Sequence, residues 1–109
     1  MTPSKVPVGI MGATGIVGQR FLALLQDHPW FEVVAIGASS GSAGRPYGQV
    51  AKWRVPDSTM PTDVASMVVG ECTASHFSDC RYVFSALDAN VAGPIEAEVA
   101  IAGKGVFSN

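Results

Sequence analysis

Residues 9–18 read Gly9-Ile10-Met11-Gly12-Ala13-Thr14-Gly15-Ile16-Val17-Gly18, and few folds place glycines at this spacing between two apolar segments. The run before the loop, Val6 to Met11, is short, apolar and β-leaning, which predicts a buried strand. The run after it changes period. From Gly15 to Asp27 the residues Val17, Phe21, Leu24, Leu25 and His28 fall on one helical stripe, with Gln19, Arg20 and Gln26 off it. His28-Pro29 ends that helix, because proline disfavours the helical conformation in the residue before it. Glu32 to Ala38 predicts a second buried strand. Strand, helix and strand within about thirty residues form a βαβ unit, whose crossover is right-handed. In this context G-x-x-G-x-x-G reads as a phosphate loop. One glycine permits the turn, one lets backbone N–H groups approach a pyrophosphate, and one lets the helix pack on the strand. The helix N-terminus adds free donors and a partial positive charge. The competing reading is a glycine-rich turn with no ligand.

The remaining pattern continues the alternation. Residues 39–62 are dense in Gly, Ser and Pro and predict a long loop around Trp53 with one short ordered piece. Val64 to Gly70 predicts a third strand, and Arg81 to Leu87 a further one. Asp88 to Ala102 predicts a helix with Val91, Ile95 and Val99 on one face. Pro94 fits that helix only in its first turn, and Gly103 is placed to close it. Val106 and Phe107 begin another strand. The expectation is an α/β, Rossmann-type doubly wound, mostly parallel sheet. Hydrophobic residues make up 48% of the chain and charged ones 15%, as a sheet covered on both faces requires.

Charge and cysteine usage exclude several classes. The net charge of -2 gives no electrostatic basis for binding nucleic acid or an anionic membrane. Residues 1–56 carry a net +3 and residues 57–109 a net -5, which suits an anionic small ligand near the N-terminal half or is plain scatter of surface charge. Cys72 and Cys80 make no disulfide framework. With His76 they lack the spacing of a zinc site, so no metal is expected. No stretch reaches the ~18 apolar residues of a membrane span, and Met1 to Lys5 opens no signal peptide. A soluble, cytoplasmic setting is expected.

The residues after the second strand bear on the cofactor. An NAD site usually places Asp or Glu there for the ribose 2′-hydroxyl. Between Glu32 and Asp57 this chain has no acid; it reads Ala38-Ser39-Ser40-Gly41-Ser42-Ala43-Gly44-Arg45. Hydroxyls and backbone N–H groups can hold a 2′-phosphate, and a nearby cation strengthens the hold. The expectation is NADP, set against an ordinary Ser/Gly loop.

Four stretches taken together resemble one family. Val8 to Phe21, Gly37-Ala38-Ser39-Ser40 with Ser42-Ala43-Gly44, Val83 to Asp88 with Val91-Ala92-Gly93, and Val106-Phe107-Ser108-Asn109 are similar to aspartate-β-semialdehyde dehydrogenase, most of all its fungal and archaeal branch. The resemblance implies NADPH-dependent reduction of L-aspartyl 4-phosphate to L-aspartate 4-semialdehyde, in the biosynthesis of lysine, threonine, methionine and isoleucine. In that family a cysteine thiolate takes the acyl group, hydride reduces the thioester, and a histidine handles protons. Carried over, Gly12, Thr14, Gly15, Ile16 and Val17 would hold the pyrophosphate. Ser39, Ser40 and Ser42 would meet the adenosine ribose and its 2′-phosphate. Ser85, Ala86 and Leu87 would line the cofactor towards the nicotinamide, and Asn109 would sit beside nicotinamide and substrate. Many members of the family carry Arg or Lys between the two serines; here that residue is Gly41, and the next cation is Arg45.

The family's Asn-Cys nucleophile, its histidine, its substrate arginines and its second, dimer-forming domain all fall beyond residue 109. The resemblance therefore implies an incomplete N-terminal dinucleotide-binding domain over residues 1–109. It carries no catalytic residue and is inactive alone. Its last strand would lack a neighbour and expose an apolar edge, so self-association or marginal stability is expected. Two other readings compete: a stand-alone nucleotide-binding or sensor module, and a sibling such as N-acetyl-glutamyl-phosphate reductase. A short-chain reductase needs Tyr-x-x-x-Lys, but Tyr47 and Tyr82 are followed at that spacing by Ala51 and Ala86. For the remaining residues, packing or capping outweighs chemistry: His28 and Trp53 pack, Asp88 caps a helix, and Cys72 with His76 lies in a connector.

Overall fold

A computed structural model describes residues 5–108. The elements follow in the order β1 (Val6–Met11), α1 (Ile16–Leu25), β2 (Phe31–Ala38), α2 (Tyr47–Val50), α3 (Thr62–Ala65), β3 (Gly70–Glu71), β4 (Tyr82–Ser85), α4 (Ala89–Ile101) and β5 (Gly105–Ser108). They form one sheet of order β3-β2-β1-β4-β5. Every pair of strands in it is parallel, as the doubly wound expectation requires.

Each face of the sheet has its own core. On one face α1, α2 and α3 cover Ile10, Ile36 and Ala38 together with Leu22, Tyr47, Val64 and Val69. On the other, Met11, Ala35, Val83 and Val99 pack with Phe77 and Cys80. Alternation along the strands divides the residues between the two faces. The central strand β1 is covered on both sides, and Val8, Ile10 and Met11 are fully buried.

Three local expectations are corrected. The buried line of α1 is Gly18, Gln19 and Leu22, not the stripe through Val17 and Leu24, and Leu24 is 67% exposed. Gly18 fixes the rotation of the helix. A Cβ there would lie 2.2 Å from the Gly12 carbonyl oxygen, so this position must face the strand, and Leu22 follows it at i+4. The run from Val64 to Gly70 is not one strand. It is a helical turn, α3, after Pro61, then a bridge from Val68 to Pro46, then the two residues of β3. Val64 and Val69 are both buried, but a short apolar run does not distinguish strand from helix. Pro94 lies in the interior of α4 rather than its first turn. Both Pro94 and Asn90, whose carbonyl loses its donor, are exposed, so water can serve that carbonyl.

Asp88 stands at the N-cap position of α4, but the cap expected of its side chain does not form; only its backbone carbonyl receives the N–H groups of Val91 and Ala92. Other expectations hold. Gly103, at φ +90°, closes that helix in the left-handed region. The loop after β2 contains one short ordered piece, α2.

Candidate functional site

The site forms where the sheet changes direction. From β1 the chain leaves one way to β2 and β3, and the other way lie β4 and β5, so a crevice opens above the C-terminal ends of β1 and β4. Gly12 sits at its base with φ +75°. A Cβ there would come within 2.9 Å of the Ala86 backbone, so two strand ends approach more closely than any side chain permits. The N–H groups of Gly12 and Ala13 both donate to the Gly37 carbonyl, at 2.9 and 3.0 Å, and Ala86 N–H donates to the Met11 carbonyl at 2.9 Å. These bonds join the ends of β1, β2 and β4 into one floor.

The three glycines of the loop then divide the work. Gly12 makes the turn. Gly18 brings α1 onto the strand. Gly15, the N-cap of α1, makes no side-chain cap; its N–H donates to the Gly12 carbonyl at 3.3 Å and its carbonyl accepts the Gln19 N–H at 2.9 Å, while the nearest atom to a Cβ there is 3.7 Å away, so the space beside it is open to a ligand. The first N–H groups of α1 have no acceptor within the helix.

A cavity of about 520 Å³ occupies the crevice, within the usual range for small-molecule sites of roughly 300–1,000 Å³. Gly12, Thr14 and Gly15 form one wall, and Ala38, Ser39 and Ser40 the end of β2. Ala86 and Leu87 carry the floor towards Val91 and Ile95 of α4. Seven of the residues singled out from sequence therefore meet here: Gly12, Thr14, Gly15, Ser39, Ser40, Ala86 and Leu87. The others stand apart. Ile16 is 65% exposed and lines a neighbouring hollow with Lys52 and Arg54. Val17 is exposed on the first turn of α1. Ser42 lies outside the cavity, and its N–H folds the loop by donating to the Ser39 carbonyl at 2.9 Å. Ser85 is buried on β4, and its hydroxyl finds no partner among the described residues. Asn109 lies outside the described residues.

Sequence reasoning missed two contributors. Glu71 lines the cavity beside Ser39 and Ser40, because β3 pairs with β2 in the register Ala38↔Glu71. The stretch after β2 has no acid in sequence, yet the fold brings one to its rim. Gln19, set off the apolar stripe by its polarity, is 2% exposed. Its Nε2 donates to the carbonyls of Thr14 and Lys52, and its Oε1 accepts the Arg54 N–H.

Cys72 also lines the cavity, on the wall with Glu71 and Thr73. Burial pushes its thiol above the ordinary value, and the Glu71 carboxylate adds to the rise against the Gly12 N–H. Burial also pushes Cys80 up to about 11. At neutral pH both are thiols rather than thiolates, which is the wrong state for a nucleophile. Iodoacetamide is therefore expected to label Cys72 slowly at pH 7 and faster as the pH becomes alkaline, with Cys80 lagging behind. A nucleotide seated in the cavity should protect Cys72, and peptide mass spectrometry reads both effects. His76 is occupied elsewhere, its Nε2 lying 2.8 Å from the Ile36 carbonyl oxygen. The described residues hold no cluster of His, Cys, Asp and Glu that could bind a metal ion. None of the described helices is long and apolar enough to cross a membrane.

Comparison with known proteins agrees with this geometry. The family model for the semialdehyde dehydrogenase NAD-binding domain matches residues 7–109. The aspartate-semialdehyde dehydrogenase of Cryptococcus neoformans is 50% identical over 107 residues, which cover 96% of this chain and 29% of that protein. That of Methanothermobacter thermautotrophicus is 50% identical over 95 residues, 87% of this chain and 27% of the relative. The crystal structure of the Candida albicans enzyme with NADP superposes with a TM-score of 0.91 at 48% identity, covering 97% of this chain and 30% of that one. The chain spans less than a third of the length of each of these relatives.

Proposed function

The chain belongs to the semialdehyde dehydrogenase family, matched over its NAD-binding domain, and from that premise we propose that it is the NADP-binding part of an aspartate-semialdehyde dehydrogenase. The complete enzyme would reduce L-aspartyl 4-phosphate to L-aspartate 4-semialdehyde in amino-acid biosynthesis, in the cytoplasm. The observation that carries the reading is the cavity in which Gly12–Gly15 faces Ser39 and Ser40 across the ends of β1 and β2.

In this reading the open N–H groups at the start of α1 receive the pyrophosphate, as an anion at a helix N-terminus does. Ile16 and Val17 contribute backbone there rather than side chain. Ser39 and Ser40 donate their hydroxyls to the 2′-phosphate, with Ser42 holding the loop in its turn. Ala86 and Leu87 support the cofactor from below, above the buried Ser85, and Asn109 follows towards the nicotinamide. Bound NADPH supplies the hydride. This chain positions the cofactor and excludes water from its apolar flank, at Val91 and Ile95. In this reading the nucleophile comes from outside residues 1–109, and burial raises both thiols of this chain above their ordinary value. Self-association of the isolated chain is part of the same reading, because Phe107 on the last strand is 52% exposed.

Titration by calorimetry tests the proposal. NADP is expected to bind about tenfold or more tighter than NAD, the difference that charge-assisted hydrogen bonds to a phosphate supply. The 109-residue chain should show no semialdehyde oxidation. Equal affinity for the two cofactors would remove the 2′-phosphate assignment; it would leave Glu71 as the rim residue that governs the ribose. Turnover by this chain would remove the division of labour.

A further inference from the structure

Two buried side chains grip the phosphate loop from behind. Tyr47, fully buried, donates its hydroxyl to the Ala13 carbonyl at 2.6 Å. Gln19 donates Nε2 to the Thr14 carbonyl at 3.0 Å and to the Lys52 carbonyl at 2.8 Å, and its Oε1 accepts the Arg54 N–H at 2.7 Å. One amide thus spends both donors and its acceptor on backbone, and two successive carbonyls of the loop are held by side chains. Burial pushes the Tyr47 hydroxyl far above its ordinary value, so it stays a donor at any working pH. Neither Gln19 nor Tyr47 lines the cavity.

The peptide group is planar and trans, so a carbonyl fixed on one side turns its N–H to the other. The Ala13 carbonyl shares its peptide with the Thr14 N–H, and the Thr14 carbonyl shares its peptide with the Gly15 N–H. Thr14 and Gly15 are cavity residues. The Gly15 N–H donates to the Gly12 carbonyl at 3.3 Å and closes the turn of the loop, whereas the Thr14 N–H makes no backbone bond among the described residues; fixing the two carbonyls behind the loop therefore sets the Thr14 donor and the turn that presents the first N–H groups of α1. The same bonds tie the loop to residues 47–54, the continuation of the segment that carries the serines.

We propose that Gln19 and Tyr47 are positioning residues for the dinucleotide: through the Ala13 and Thr14 carbonyls they set the peptide orientation of the pyrophosphate subsite without touching the ligand. The proposal rests on the cofactor reading above. It differs from a role in stability alone, because it predicts that one subsite suffers and the other does not.

Adenosine 2′-monophosphate separates the two, since it carries the adenosine and the 2′-phosphate but no pyrophosphate. The experiment titrates NADP and adenosine 2′-monophosphate, followed by NMR, into the wild-type chain, Gln19→Met and Tyr47→Phe, with melting temperatures recorded alongside. Gln19→Met keeps the shape and loses all three bonds. Tyr47→Phe keeps the ring in the core and loses one. In both variants NADP is expected to weaken roughly tenfold or more, as buried carbonyls lose their donors, while the affinity for adenosine 2′-monophosphate stays within about twofold. Unchanged NADP affinity overturns the proposal. So does a parallel loss of both ligands, which is the signature of a structural role. If Gln19→Met does not fold, Tyr47→Phe decides by the same criteria. If the wild-type chain does not bind NADP, the cofactor reading itself has failed and this inference goes with it.

Discussion

Gly18→Ala is expected to cost the fold about 3 kcal/mol or more and to abolish nucleotide binding with it. The added methyl would lie 2.2 Å from the Gly12 carbonyl oxygen, 2.7 Å from the Ala13 Cα and 2.9 Å from the Gly12 carbonyl carbon. All three atoms are backbone, so no rotamer change relieves the contact. Either α1 lifts from the sheet or the loop deforms. The first opens the core around Leu22, and the second displaces the donors that face the cavity. A helix-favouring substitution would ordinarily stabilise by up to ~1 kcal/mol, so the sign of the effect is itself diagnostic. Urea denaturation gives the stability loss, and NADP titration the binding loss. A variant as stable as wild type would show that α1 is not seated as closely as described.

Phe77→Ala should lose about 3–5 kcal/mol, the usual cost of removing a fully buried ring. Phe77 is completely enclosed although it lies on no helix or strand. It fills the space above two glycines on neighbouring strands. A Cβ on Gly9 would be 2.4 Å from the ring, and one on Gly37 would be 3.0 Å from it. Gly9 and Gly37 thus make a hollow on the sheet that the ring occupies. Gly9→Ala is therefore expected to be destabilising in the wild-type background and milder by about 1 kcal/mol or more when Phe77 is already alanine. Four denaturation curves complete that cycle, and strict additivity would show that the ring and the glycine are not coupled.

These two residues also mark how far sequence could see. The strand, the glycine loop, the helix and the second strand were legible because each rests on a pattern within a few residues: β-leaning apolar runs, glycines at a turn, a proline after a helix. The cavity wall at Ser39 and Ser40 followed from the same unit. The rotation of α1 was not legible from its apolar stripe, because close approach at Gly18 sets it, and the stripe hid Gln19 by counting a polar residue as solvent-facing. Gln19 could have been suspected only from its place beside that glycine. Glu71 was out of reach for another reason. It stands 31 positions after Ser40 in sequence and reaches the rim through strand pairing with Ala38. Phe77 has no periodic apolar neighbours that would mark it as core, yet the glycines at 9 and 37 carry its imprint.

The two borders of the sheet are unlike. On one side β3 contributes only two residues, and the chain just before it is already taken up by the bridge from Val68 to Pro46. That border offers an incoming strand almost no ladder to join. On the other side β5 runs for four residues and, among the described residues, pairs with β4 alone. A strand paired on one side leaves a row of outer N–H and C=O groups, here beside the half-exposed Phe107, the arrangement that recruits a further strand. Among the described residues the ladder open to a further strand is thus the one beside β5, and a strand added there would be separated by β4 and β5 from β1, which carries the phosphate loop.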